Sequence, residues 1–162
     1  MTYRILVTGS RLWADRYRVE TAIREVCVRQ GWKNTVVICG AATGADMCAA
    51  VSARAMGLRV EQHTADWQRH GKAAGPLRNQ AMVDAGADLC LAFMLPCPRS
   101  DCGVAPRPHD SHGATDCVRR AEAAGIPVRE FRPHPRDAAG GPNPAGGYAD
   151  TPEGAADDLR AT

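Results

Sequence analysis

The chain has 162 residues, 44% of them hydrophobic and only 5% aromatic, with a formal net charge of +2. That is enough apolar material for one domain with a real core, and the abundance of small residues favours close helix-on-sheet packing over an aromatic-rich β sandwich. Acidic and basic residues are interspersed, which weighs against a nucleic-acid-binding surface.

Residues 4–8, Arg-Ile-Leu-Val-Thr, form a short apolar and β-branched run ending at Gly9, the pattern of a buried strand. No signal-peptide core precedes it and no apolar run approaches membrane length, so a cytoplasmic protein with no membrane partner is expected. After a loop over 9–13, Asp15 is placed to cap a helix running to about Gln30. Its Tyr17, Val19, Ala22, Ile23, Val26 and Cys27 recur at helical spacing, and Gly31 stops it. Residues 36–39, Val-Val-Ile-Cys, read as a second strand, 40–45 as a glycine loop, and 46–56 as a helix closed by Gly57. Residues 59–63 alternate and suit a strand near a sheet edge. A loop over 64–75 carries Trp67, His70 and Lys72. Pro76 suits the first position of the next helix, which ends before Gly86. Residues 88–93 are mostly apolar, as in a central strand covered on both faces. A long loop over 94–112 follows. Gly113 opens a helix over 115–124, and 126–131 is a fifth strand. From 133 onward the chain is rich in Pro, Gly and polar residues, so the expected organisation is a domain over 1–132 and a disordered tail over 133–162.

This alternation calls for an α/β fold: a Rossmann-like three-layer domain with a mostly parallel sheet of five strands or slightly more. Ligands of such folds sit beyond the carboxyl ends of the strands, where the loops 9–13, 40–45, 64–75 and 94–113 all lie. The loops at Gly9 and at Gly40 to Gly44 each run from a strand toward a helix, and a helix N-terminus with unpaired N–H groups suits an anion. Neither matches G-x-G-x-x-G or the P-loop, so no NAD, FAD or NTPase site of the usual kind is expected.

Several motifs in order resemble one superfamily. Leu6-Val7-Thr8-Gly9-Ser10-Arg11 with Trp13, and Gly40-x-Ala42-x-Gly44-Ala45-Asp46, look like the start of a SLOG protein. Trp67-x-x-His70-Gly71-Lys72, Pro76-x-Arg78-Asn79, Ala87-Asp88-x-x-Leu91-Ala92-Phe93 and Ser111-His112-Gly113 resemble its cpYpsA-related, or YspA-like, branch. The resemblance covers roughly 4–131. It implies binding of a nucleotide or nucleotide-derived small molecule. Some relatives are regarded as ligand sensors, and others, the lonely-guy enzymes, cleave the N-glycosidic bond of nucleoside monophosphates.

Carried over by position, the ligand-binding candidates are Gly9, Ser10, Arg11, Gly40, Ala42, Gly44, Asp46, Trp67, Lys72, Arg78, Asn79, Ser111, His112 and Gly113. Arg78 resembles the lonely-guy arginine that contacts substrate, and a guanidinium suits a bidentate phosphate or ribose contact. Asp46 either caps its helix or accepts ribose hydroxyls. Trp67 either stacks on a base or covers the core. The lonely-guy pattern Pro-Gly-Gly-x-Gly-Thr-x-x-Glu meets Asp-Ser-His-Gly-Ala-Thr-Asp-Cys here, which sets Cys117 where the catalytic glutamate belongs. Arg78 and Asp116 remain as weak catalytic candidates, though a helical step turns Asp116 about 100° from position 117. The expectation is a ligand-binding or sensing module, with an N-glycosidase as the alternative. Nucleic acid is not an expected partner, and self-association stays open.

In a cytoplasmic protein the seven cysteines are expected to be thiols or metal ligands. Cys27, Cys39, Cys48 and Cys90 fall at core positions. Cys97, Cys102, His109 and Cys117 form a candidate structural zinc set, with His112 kept for the ligand-binding turn. Free thiols, a core Cys117, or a labile 97–102 disulfide are the competing readings.

Overall fold

Alternation along the strands decides the layers. In the computed structural model, which describes residues 1–133, Ile5 and Val7 enter one apolar cluster and Leu6, between them, enters another. The strand is β1 (Tyr3–Gly9). It is followed by α1 (Arg16–Gln30), β2 (Thr35–Gly40), α2 (Ala45–Ala55), β3 (Arg59–His63) and α3 (Trp67–His70), then by α4 (Ala74–Asp84), β4 (Leu89–Phe93), α5 (His112–Ala123) and β5 (Val128–Phe131). The strands are all parallel in the order β3-β2-β1-β4-β5. The first cluster, with Val19, Ile23, Ala49 and Ala53, lies under α1 and α2. The second, with Met82, Val83, Cys117 and Ala121, lies under α4 and α5. This is a three-layer Rossmann-like α/β fold, and Met1–Arg132 is one compact unit.

The strand order reverses between β1 and β4, so the loops leaving these neighbours diverge and open a crevice above their carboxyl ends. Trp13 is buried and tilts against Phe93 at 5.1 Å, while Phe131 stacks on the Phe93 ring at 4.8 Å. Each such pair adds about 1 kcal/mol beyond area burial. The edge position of β3 and the buried β4 agree with their sequence patterns.

Three boundaries differ from expectation. The expected loop 64–75 is largely helical: Asp66 caps α3 by accepting the Arg69 N–H at 3.0 Å, and a 3₁₀ turn over Gly71–Ala73 leads into α4. Pro76 is therefore the third residue of α4, not its first. It is tolerated there because the first four N–H groups of a helix have no partner inside it. The last helix starts at His112, with Ser111 as the residue before it, so Gly113 lies inside its first turn. Among the described residues no helix is long and apolar enough to cross a membrane. The expected tail lies outside the described residues beyond Pro133.

Candidate functional site

Gly40 ends β2 with no side chain because there is no room for one. A Cβ there would overlap the Arg78 guanidinium and the Asp46 carboxylate. These two form an ion pair, Nη1 to Oδ2 at 3.1 Å, with side chains only 11% and 5% exposed. Burial pushes the Asp46 carboxyl up, and the Arg78 charge and the Ala42 N–H hold that rise in check. Asp46 does not cap α2: the residue before that helix is Gly44, and Asp46 sits inside the first turn.

From Arg78 a polar chain runs across the helices. Its Nε donates to Asn79 Oδ1 at 3.1 Å. Asn79 Nδ2 donates to the Gly113 carbonyl at 3.1 Å and to Asp116 Oδ2 at 3.0 Å. Asp116 also accepts from Arg120 Nε at 2.8 Å and Arg119 Nη2 at 3.0 Å. Burial pushes Asp116 up, but the hydrogen bonds from Arg120, Asn79 and Arg119 outweigh it and hold the carboxyl below its usual range. Asp116 is therefore an ionised acceptor tying α4 to α5.

The first loop is stitched down just as tightly. The buried Ser10 accepts the Leu12 N–H on its hydroxyl at 3.2 Å, and the Trp13 and Ala45 N–H groups on its carbonyl at 3.1 and 3.2 Å. Gly9 has no space for a Cβ, which would sit 2.5 Å from the Phe93 oxygen and 2.6 Å from Ala45 Cβ. Gly44 adopts φ +77°, and a side chain there would strike the Ser10 and Arg11 backbone.

A cleft of about 830 Å³ opens above this framework. Gly9, Ser10, Arg11, Ala42, Asp46, Trp67, Lys72, Arg78, Asn79, Ser111, His112 and Gly113 line it, and so does Asp116. Gly40 and Gly44 do not; they lie behind it, as packing glycines. A smaller hollow of about 350 Å³ shares Arg11, Ala42, Trp67 and Arg78 with the cleft. The Arg11 guanidinium stands 5.3 Å from the centroid of the half-exposed Trp67 ring, so Trp67 is a wall of the cleft and not a cover for the core. At the start of α5, Ser111 makes no side-chain cap, and nothing lies within 4 Å of where a Gly113 Cβ would be. Uncapped N–H groups beside open space suit an anion. The sequence reading did not include Leu12, Arg99 and Asp101, which also line the cleft. The latter two arrive because the 94–111 loop folds back over the site, and no local pattern announces that.

The cysteine–histidine set needs one correction. Cys117 is fully buried among Leu6, Met82 and Cys90, and burial pushes its thiol up to about 11. It cannot serve as a ligand in the loop. The groups brought together are Cys97, Cys102, His109 and His112, whose ligating atoms all lie within 4.8 Å of one another, an arrangement that could hold a metal ion. Cys102 Sγ is 3.1 Å from His109 Nε2. The Val104 N–H, with help from His112, His109 and Cys97, draws the Cys102 thiol down to about 6.

These features define a parallel α/β domain with an anion-suited cleft at its switch point. A family model described as the YspA, cpYpsA-related SLOG family matches residues 3–70. The Gene 61 protein of Mycobacterium phage D29 is 44% identical over 137 residues, which span 82% of this chain and 98% of that protein. The chain belongs to the YspA, cpYpsA-related SLOG family. Among solved structures, the X-ray structure of DNA processing protein A from Streptococcus pneumoniae aligns with a TM-score of 0.58 at 17% identity. The alignment covers 84% of this chain and 52% of that one, so this chain spans about half of that protein, and the likeness is one of fold.

Proposed function

We propose that the cleft binds a nucleotide or nucleotide-derived small molecule and that the protein works as a ligand-binding or sensing module. The observation that carries this reading is the state of Arg78. Asp46 and Asn79 hold its Nη1 and Nε, while Nη2 has no hydrogen-bond partner among the described residues. A guanidinium fixed in this way loses little entropy on meeting a phosphate. It shares the cleft with the open N-terminus of α5 and with the cations Arg11 and Lys72. A zinc ion on the cysteine–histidine cluster completes the reading, as a structural ion and not a reacting one.

Cys117 argues against glycosidic cleavage, because a fully buried side chain at the glutamate position reaches no ligand. One observation favours the enzyme as a second reading: Asp116 is a carboxylate on the cleft wall. Its partners hold it ionised, which suits positioning better than proton donation. The test is mass spectrometry of whatever the denatured protein releases, followed by titration with a panel of nucleoside monophosphates. We expect a nucleotide, no base release, and a loss of affinity of about 10- to 100-fold in Arg78→Ala, as for a charged hydrogen bond. Base release with ribose phosphate formation, abolished in Asp116→Asn, would replace sensing with hydrolysis. No released ligand and no thermal shift across the panel would remove the nucleotide reading altogether.

A further inference from the structure

The excursion between β4 and α5 lacks a core of its own. None of residues 95–113 is buried, and Val104, its large aliphatic tip residue, is 44% exposed. Its two stems are nevertheless zipped together. The Cys97 N–H donates to the His109 carbonyl at 2.7 Å, the Ser111 N–H donates to the Leu95 carbonyl at 3.0 Å, and Pro96 bridges Asp110 in antiparallel sense. A polar loop of this length, held by its neck and by a few contacts of Arg107, needs a further staple to keep one shape.

The neck carries the chemistry of such a staple. Cys97 and His109 stand across from each other on the paired stems, Cys102 folds back from the tip, and His112 begins α5. In a tetrahedral zinc site with ordinary Zn–S and Zn–N bonds, neighbouring ligand atoms lie about 3.3–3.8 Å apart. The four ligating atoms here fall within 4.8 Å of one another, with one pair already at 3.1 Å, so small side-chain shifts would close the site. His109 Nδ1 lies 3.1 Å from the Asp110 carbonyl, an acceptor. That contact places the proton on Nδ1 and leaves the Nε2 lone pair toward Cys102, the arrangement usual for a ligating histidine. The Arg107 Nη2 donates to Cys102 Sγ at 2.8 Å, a contact that suits a thiolate. Two thiolates and two neutral imidazoles around a divalent ion make an uncharged unit, which fits a half-buried place. A disulfide between Cys97 and Cys102 would leave both histidines without a role.

We propose that Cys97, Cys102, His109 and His112 bind a single Zn²⁺ in a closed four-ligand site, and that this metal fixes the 94–111 loop as one wall of the cleft. Cys97, Cys102 and His112 line the cleft themselves, and His112 is the first residue of the helix whose N-terminus faces it. The metal site stands on its own geometry; its effect on ligand affinity rests on the nucleotide reading.

The test uses the full chain, made in zinc-supplemented medium and purified without chelator under a non-thiol reductant. Elemental analysis is expected to find one zinc per chain. Cobalt titration of the metal-free protein is expected to give thiolate-to-cobalt charge transfer and the d–d bands of a tetrahedral ion. Cys102→Ser lowers cobalt affinity at least tenfold, while Cys117→Ser keeps full stoichiometry. Removing the metal speeds amide exchange over 95–111 and leaves β1 and β2 unchanged. Metal content well below one per chain, a cobalt spectrum without thiolate bands, or a 97–102 disulfide in the purified protein would overturn the site. The cobalt titration of the unaltered chain holds even if a variant fails to fold. Full metal occupancy with no nucleotide bound supports the metal site and rejects the ligand reading alone. Nucleotide binding that is identical with and without metal overturns the claim that the metal fixes the wall.

Discussion

A methyl group at position 40 would compete for the space that the Arg78 guanidinium and the Asp46 carboxylate now share. Gly40→Ala is therefore expected to cost about 1–3 kcal/mol as an overpacked site and to dislodge Arg78 from its pair. Urea unfolding reads the first effect, and weakened nucleotide binding the second. Gly113 makes the opposite case. Nothing lies within 4 Å of its missing Cβ, its φ is not positive, and it sits in the first turn of a helix. Gly113→Ala should shift stability by less than about 0.5 kcal/mol, since it breaks no contact. Its methyl would stand at the anion-suited end of α5, so the thermal shift produced by a nucleoside monophosphate should shrink or vanish. An unaltered ligand response would mean that the ligand does not use that helix end. The two glycines look alike in the sequence, and only the neighbours of the absent side chain tell a packing glycine from one beside open space.

At the scale of elements, what the chain pattern disclosed depended on whether local periodicity decided the outcome. The five strands and the long helices were legible because each carries its own apolar rhythm and glycine stop. So was the rim, which follows from the parallel order alone. The short α3 has only Asp66, a residue type favoured before a helix, to announce it, and that residue accepts the Arg69 N–H. Spacing along the chain puts Cys117 beside the other candidate metal ligands, but its helical phase turns it into the core. Ala114, Cys117, Val118 and Ala121 repeat at three-to-four spacing and form the buried stripe of α5, a pattern present in the sequence. The back-folding of 94–111 had no such signal, since it rests on stem pairing and polar contacts. The phase of α5 also bears on catalysis. Cys117→Glu, which would restore the lonely-guy carboxylate, is expected to yield no glycosidase, because it buries an unpaired charge at a cost of several kcal/mol. A folded Cys117→Glu protein that released base from a nucleoside monophosphate would show that position 117 can turn into the cleft.

Across the whole molecule, carboxylates add polar ties between elements that the hydrophobic clusters already join. Arg4 on β1 reaches over β2 to hold Glu61 on β3 in a two-pronged contact of 3.1 and 2.6 Å, while Asp116 ties α5 to Asn79 on α4. The Arg4 hydrogen bond holds the Glu61 carboxyl below its usual range, against a smaller opposing push from burial, and Asp116 is lowered as well. A carboxyl lowered on folding contributes stability that is present above its unfolded pKa, near 4, and is lost as pH falls through its folded value. Asp46 has the opposite sign: its raised carboxyl favours folding more at low pH and less as pH rises through its folded value. The acid limb of stability below about pH 4 is thus assigned to Glu61, Asp116 and Asp110, the last lowered by its hydrogen bonds from Arg132, and not to the most buried acid in the cleft. Glu61→Gln should lower stability by up to about 1 kcal/mol at pH 7, the scale of a partly exposed pair. The gap should narrow toward pH 3, where the native Glu61 becomes protonated too. Urea midpoints of both proteins across that range measure it, and a gap that stayed constant or widened in acid would show that the Arg4–Glu61 contact does not act through charge.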